Sequence, residues 1–286
     1  EVANACQDLG TGIRAAMLNV AAETLKIDSR RIAVLVGDTQ LGLVGPQSGG
    51  SVTTASVTPA VHAATFKAQR RLFEIVAASW SADVEDITCQ NGIVSLKSDP
   101  NTKMSWEEAA SLAGEDPIVA TAQNDSGPRI RGVRDGTLMR GAQFAEVEVD
   151  TESGRVRCTK VVAVQDCGKA MATEQAKSQI CGGVIMGVSY ALSEDRILDN
   201  LSGRQINADM ENYKILGPLE CPDIEAILVD VYDPVNTTSA KGLGEPPHIP
   251  TAAAIGCAVF NALGTPIRSI PITPYKVLQA VKKAKE

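Results

Sequence analysis

The chain has 286 residues, a hydrophobic share of 44%, a charged share of 21% and a formal net charge of −7, which together exclude global disorder and a membrane protein and permit a substantial core. The acidic balance also argues against a nucleic-acid surface, because the basic runs Arg129-Ile130-Arg131 and Lys282-Lys283-Ala284-Lys285 read as solvated faces. Seven dispersed cysteines without CxxC spacing support neither a zinc site nor an iron–sulfur cluster, and point to core thiols in a reducing, cytoplasmic setting. No signal peptide or run of spanning length is visible, and Glu1 in place of an initiator Met reads as a cut or processed end of something larger.

In chain order, Gln7-Asp8-Leu9-Gly10-Thr11-Gly12 forms a first glycine-rich turn, residues 15–25 carry a helical pattern, and residues 26–32 lead to a strand over 33–36. Ser48-Gly49-Gly50-Ser51-Val52-Thr53-Thr54-Ala55-Ser56 is a second glycine-rich loop. Pro59 fits the first turn of a long helix capped by Thr58 and running to Trp80, and residues 82–87 lead into strand-like 88–96, reversed at Asn91-Gly92. The helix-to-strand passage is thus made twice, which reads as an internal duplication. Residues 106–113 form a short helix, and the turn formers at Asn124-Asp125-Ser126-Gly127-Pro128 set a boundary between domains 1–127 and 128–286.

Past that boundary, Ala145-Glu146-Val147-Glu148-Val149 alternates, residues 151–154 turn, and alternation resumes at Val156, Cys158 and Lys160 before the apolar run Val161-Val162-Ala163-Val164, giving a hairpin. Ala176, Ile180, Val184, Val188 and Leu192 mark one face of a helix that contains Gly182, Gly183 and Gly187. Glycine inside a helix costs roughly 1 kcal/mol against alanine, so a close backbone, a bound group or tight helix packing must account for these three. Residues 223–230 form another strand. Helices and strands mix without regular parallel alternation, which makes the fold class α+β.

Ala240-Lys241-Gly242-Leu243-Gly244-Glu245-Pro246-Pro247 sets one carboxylate between glycines and a proline pair. The prolines push the residues before them toward extended geometry, so the Glu245 side chain is aimed as a base would be; the same pattern also serves as a turn carrying a solvated glutamate. His248 either orients a substrate or is a polar residue at a helix entry, and His62 is structural. Thr251 caps a helix over 252–263, and Gly264 ends it. The loop from Ser48 to Ser56 offers backbone N–H groups little screened by side chains, a nest for anions, but lacks the GxxxxGK[ST] pattern of a nucleotide P-loop.

In this order the motifs resemble the molybdenum hydroxylases of the xanthine dehydrogenase and aldehyde oxidase family, in the C-terminal part of their molybdopterin-binding large subunit. The resemblance rests on the two glycine-rich turns and the Glu245 loop. It also rests on Phe144-Ala145-Glu146-Val147-Glu148-Val149-Asp150, Asp166-Cys167-Gly168, Gln179-Ile180-Cys181-Gly182-Gly183 and Pro271-Ile272-Thr273-Pro274. It implies a molybdenum-cofactor-binding domain of two mixed helix/sheet subdomains. Gly10, Thr11 and Gly12 would wrap the pterin, and Ser48, Gly49, Gly50, Ser51 and Thr53 would form a second turn on the cofactor. Gly50 and Gln179 would lie beside molybdenum without a side-chain ligand to it.

The resemblance further implies that Glu245 is the base in hydroxylation of an aldehyde or N-heterocycle with oxygen from water, in a site that partly desolvates the carboxylate. Thr11 stands where some members have Gln, and Ala172 where Asn is common, so contacts to a nucleotide tail, and with them the cytosine dinucleotide form of molybdopterin, stay open. The implied partners are the remaining part of the molybdenum-binding chain, an iron–sulfur subunit carrying the clusters and a flavin subunit carrying FAD. Two other readings compete: a noncatalytic relative that keeps the cofactor scaffold, and a phosphate- or nucleotide-binding module using the loop from Ser48 to Ser56.

Overall fold

A computed structural model describes residues 1–124 and 139–285, and the expected boundary at Gly127 and Pro128 and the basic run Arg129-Ile130-Arg131 lie outside them. The chain divides into two compact units. The first joins Glu1–Leu138 to two short returning segments, Gly168–Ala172 and Tyr232–Lys241; the second comprises Met139–Cys167, Thr173–Val231 and Gly242–Glu286.

In the first unit β1 (Val2–Asn4) precedes α1 (Ile13–Leu25) and pairs in parallel with β2 (Val34–Val36). The 28-residue α2 (Thr53–Trp80) follows, then β3 (Ile87–Gln90), β4 (Ile93–Leu96), β5 (Lys103–Ser105) and α3 (Trp106–Ser111), with the three strands in one antiparallel sheet. Val57 and Val61 of α2 share a core with Ile13, Met17 and Val20 of α1, while Leu72 and Val76 near its other end pack with Ile87, Cys89 and Val94. The duplication is local and detailed. α1 and α2 both end on a non-glycine residue in the left-handed region, Lys26 and Ser81. In each case an aspartate two residues on, Asp28 or Asp83, caps a 3-10 turn that feeds the next strand. The two strands then pair differently, β2 in parallel with β1 and β3 antiparallel with β4.

α2 begins six residues before Pro59, so Thr58 does not cap it and Pro59 lies inside the helix. Proline there removes the N–H that would bond the carbonyl of Ala55, four residues back. Asn236, on the returning segment, replaces that donor: its Nδ2 reaches Ala55 O at 2.9 Å. Thr58 uses its hydroxyl on Thr54 O at 2.8 Å and on Thr238 Oγ1 at 2.7 Å. A partner from about 180 residues downstream is what permits the longer helix, and no local pattern announces it.

In the second unit β6 (Gly141–Val149) and β7 (Val156–Asp166) form the expected hairpin, with a bulge between Glu146 and Val147. α4 (Thr173–Leu192) then crosses back so that β8 (Asp223–Val229) pairs with β7 in parallel, a βαβ connection inside an otherwise mixed arrangement. α5 (Thr251–Leu263) and α6 (Pro274–Ala284) complete the unit. Its core joins Val161 and Ala163 of β7, Ile180, Val184 and Val188 of α4, Ile255 and Val259 of α5, and Val277 of α6. Four of the seven cysteines are buried, and burial pushes Cys6 and Cys158 up to about 11, as for inert core thiols. Among the described residues no helix is long and apolar enough to cross a membrane.

Candidate functional site

The first unit brings its two glycine-rich stretches together. Ser48 N donates to Gln7 Oε1 at 3.0 Å, and Ser48 Oγ donates to Gln7 O at 2.5 Å. Gly45 lets the intervening loop pass over the end of β1, since a Cβ there would sit 2.7 Å from Cys6 N and 2.8 Å from Asn4 Oδ1. Asp8 organises the first turn from within: its carboxylate accepts from the N–H groups of Gly10 (3.1 Å), Gly12 (3.2 Å) and Arg14 (3.1 Å) at the start of α1. Partial burial works to raise the Asp8 pKa, but the donors Arg14, Gly12 and Gly10 and the Arg14 charge outweigh it and hold the group below the ordinary carboxylate value.

A lowered folded-state pKa means that Asp8 contributes its full stability above the unfolded carboxylate pKa and loses it as pH falls through the folded value. Asp8→Ala is therefore expected to destabilise the chain by about 1 kcal/mol at neutral pH, the ordinary cost of a lost cap, and to flatten the acid limb of a stability-against-pH curve measured by chemical denaturation.

The second turn is organised differently. Gly50 and Ser51 both take left-handed backbone angles (φ 64° and 57°), and α2 starts directly after them with Val52 as a cap residue that offers no side-chain hydrogen bond. The first N–H groups of a long helix are thereby presented without a capping side chain, and Thr53 is the first residue of that helix. Among the described residues, a Cβ built on Gly10 or Gly49 would meet no atom within 4 Å, and one on Gly50 only Val52 at 3.9 Å. Gly10, Thr11, Gly12, Ser48, Gly49, Gly50, Ser51 and Thr53 thus lie on two turns linked through Ser48 and Gln7.

Such a surface fits a phosphate-bearing, ring-shaped group held by backbone donors. It does not offer metal ligands: among the described residues no group of His, Cys, Asp or Glu side chains could hold a metal ion. Gly49→Ala is a cleaner probe than Gly50→Val, because Gly50 has positive φ and a β-branched residue there is strained whatever lies beside it. Gly49→Ala is expected to leave the melting temperature within about 2 °C, as surface changes do, while lowering bound pterin measured by fluorescence of the released cofactor.

Glu245 and Gln179 both belong to the second unit, Gln179 on α4. Glu245 is exposed and heads the 3-10 turn Pro246–His248; it takes right-handed helical angles (φ −80°, ψ −37°), not the extended geometry that its position before a proline suggests. The carbonyl explains this. Glu245 O accepts from His248 N at 3.1 Å and lies 2.6 Å from His248 Nδ1, which closes the turn. His248 thus acts here on the turn itself, and Tyr190 Oη of α4 donates to His248 O at 3.2 Å. Burial pushes the Tyr190 hydroxyl up, against an opposing backbone hydrogen bond from Ala252, so it remains a donor at neutral pH.

α4 meets this turn with its glycines. A Cβ on Gly183 would lie 3.0 Å from Pro247 Cβ and 3.1 Å from His248 N, and one on Gly187 would lie 2.6 Å from Thr251 Oγ1. Gln179 is half-buried one helical turn before Gly183, about 6 Å along the same face, which carries it toward the Glu245 turn. Among the described residues Glu245 is exposed, whereas a base is expected to be partly desolvated.

Thr251 is not a cap: it is the first residue of α5, with Pro250 before it, and its hydroxyl donates to Gln143 Oε1 at 2.6 Å. Gln143, which no sequence motif marks, donates in turn to Pro247 O. A signal for it exists in the sequence. The inward-facing positions of β6 read Gln143, Ala145, Val147 and Val149, and a lone amide on an apolar strand face must find partners.

Comparison with known proteins gives the family. A family model described as a molybdopterin cofactor-binding domain matches residues 1–222. An aldehyde oxidoreductase molybdenum-binding subunit, PaoC, of Escherichia coli is 30% identical over 272 residues, covering 95% of this chain and 35% of that protein. The nicotine 6-hydroxylase large subunit of Paenarthrobacter nicotinovorans is 26% identical over 279 residues, covering 96% and 34%. The crystal structure of quinoline 2-oxidoreductase from Pseudomonas putida superposes with a TM-score of 0.85 at 26% identity, covering 97% of this chain and 36% of that one. The chain therefore spans about a third of the length of the relatives it matches. On the family match, the collinear motifs and the shared fold, the chain belongs to the molybdopterin cofactor-binding domain of the xanthine dehydrogenase and aldehyde oxidase family of molybdenum hydroxylases.

Proposed function

We propose that this chain supplies the general base and part of the cofactor cradle for hydroxylation of an aldehyde or an N-heterocycle. The observation that carries the reading is Glu245: an exposed carboxylate fixed at the head of a turn that His248 closes and that Gly183 and Gln143 hold. A solvated surface glutamate needs no such support. Relatives named for an aldehyde, nicotine and quinoline support the substrate class.

Molybdopterin, when bound, would supply the two-electron redox chemistry. This chain's residues then do the rest of what it contributes. The turns at Gly10 to Gly12 and Ser48 to Thr53 would bind the pterin and its phosphate through backbone N–H groups. Gln179 would offer its side-chain amide to the bound group, and Glu245 Oε would accept a proton from the water that supplies the oxygen. The electrons leave through partners of the same assembly, an iron–sulfur subunit and a flavin subunit carrying FAD, in the cytoplasm. The remaining part of the molybdenum-binding chain lines the substrate pocket and desolvates Glu245.

Metal analysis and turnover of the assembled protein test this reading. Stoichiometric molybdenum with aldehyde or N-heterocycle oxidation supports it, whereas absent molybdenum indicates a scaffold relative and tight nucleotide binding by this chain alone indicates a phosphate-binding module. Mass analysis of the released pterin distinguishes the cytosine dinucleotide form from the form without a nucleotide tail.

A further inference from the structure

We infer that Gln143 is a positioning residue that sets where the Glu245 carboxylate stands; its importance for turnover rests on the reading of Glu245 as the base. The turn that carries Glu245 is poorly able to hold itself. Pro246 and Pro247 have no N–H to donate, so its internal hydrogen bonds reduce to His248 and its C-terminal neighbour: His248 N to Glu245 O at 3.1 Å and Ile249 N to Pro246 O at 3.3 Å. The carbonyl of Pro247, at the middle of the turn, is gripped from outside by Gln143 Nε2.

Gln143 is itself anchored. Its Oε1 accepts from Thr251 Oγ1 at 2.6 Å, and the fully buried Thr251 also reaches Pro247 O at 3.3 Å. One amide therefore joins strand β6, the turn and the first residue of α5. Gly183 of α4 also lies against Pro247 and His248, where even a methyl group would be tight. The backbone of the turn is thus held by a hydrogen bond and a close-packed helix face. An amide left unbonded on the apolar face of a strand is unfavourable, so its presence in that row asks for a function, and fixing the turn is one. Displacement of a reacting group by about 1 Å can cost on the order of 10²-fold in rate.

The test uses the complete molybdenum-loaded assembly. Gln143→Met keeps side-chain length and removes both hydrogen bonds. The expected result is unchanged molybdenum content, KM within about threefold, and kcat lower by roughly 10- to 100-fold. Deuterium exchange at the amides of His248 and Ile249 should be faster by about tenfold or more, since their bonds then close a turn that has lost the Gln143 hydrogen bond to Pro247 O. In a Glu245→Gln background, Gln143→Met should add no further loss, because a residue that acts through Glu245 has nothing left to position. Thr251→Ser, which keeps the hydroxyl, should behave as wild type, while Thr251→Val should reproduce the Gln143→Met pattern and serves as the probe if Gln143→Met does not fold.

Equal losses from Gln143→Met in both backgrounds, or unchanged exchange at His248 and Ile249, would overturn the inference. The reading of Glu245 as base fails separately, by full turnover of Glu245→Gln; exchange at His248 and Ile249 then decides alone whether Gln143 fixes the turn.

Discussion

Replacing Glu245 by glutamine is expected to lower turnover of the assembled enzyme by about 10²- to 10⁴-fold, the range a positioned general base contributes, while fold and cofactor content stay unchanged. The amide keeps the shape of the carboxylate and cannot accept the proton. Glu245 is exposed in this chain, and substitutions at exposed positions usually change stability by less than about 0.5 kcal/mol, so a loss of activity would not be a folding effect in disguise. The groups that fix the turn are backbone atoms of Glu245 and its neighbours, met by His248, Tyr190 and Gln143, and the substitution removes none of them. Turnover, molybdenum content and thermal midpoint measured on one preparation separate the outcomes. Activity near that of wild type with full metal content would remove Glu245 from the base role.

The elements that the sequence announced are those built from local chemistry. Asn91 and Gly92, both at positive φ, turn β3 into β4, and the alternation over Ala145 to Val149 became the strand facing β7. Gly264 closes α5 in the left-handed region. What stayed hidden depends on partners distant in the chain. The start of α2 is set by Asn236 replacing the donor that Pro59 lacks, and the parallel pairing of β7 with β8 is made across the whole of α4. The candidate site divides in the same way. Its glycine-rich turns and Glu245 carry composition that local rules can read, whereas Gln143 and Tyr190 reach the Glu245 turn from another strand and another helix. Thr251 was read as a cap from its place in the sequence. In the fold its hydroxyl is drawn to an amide 108 residues away.

The three glycines of α4 are expected to answer the same substitution with opposite signs, which separates helix packing from cofactor contact. At Gly187 an added Cβ would lie 2.6 Å from Thr251 Oγ1 and 2.8 Å from its Cγ2, with Thr251 fully buried and without room to move. Overpacking of this kind costs about 1–3 kcal/mol, which exceeds the roughly 1 kcal/mol that alanine gains over glycine in a helix. Gly187→Ala should therefore lower stability, and Gly187→Val, with two further methyl groups and a β-branch, should lower it by about 3 kcal/mol, near 10 °C in melting temperature for a unit of this size. At Gly182 a Cβ would meet nothing within 4 Å, so Gly182→Ala should stabilise the isolated chain by about 0.5–1 kcal/mol. Gly183, with Pro247 at 3.0 Å, falls between, and its substitution should also speed exchange in the Glu245 turn. Repeating Gly182→Ala in the molybdenum-loaded assembly adds the deciding comparison: a gain in the isolated chain with a fall in cofactor content would place the bound group against that face of α4, three residues beyond Gln179. The same gain in both forms, with full cofactor, would leave packing of α4 as the whole reason for its glycines.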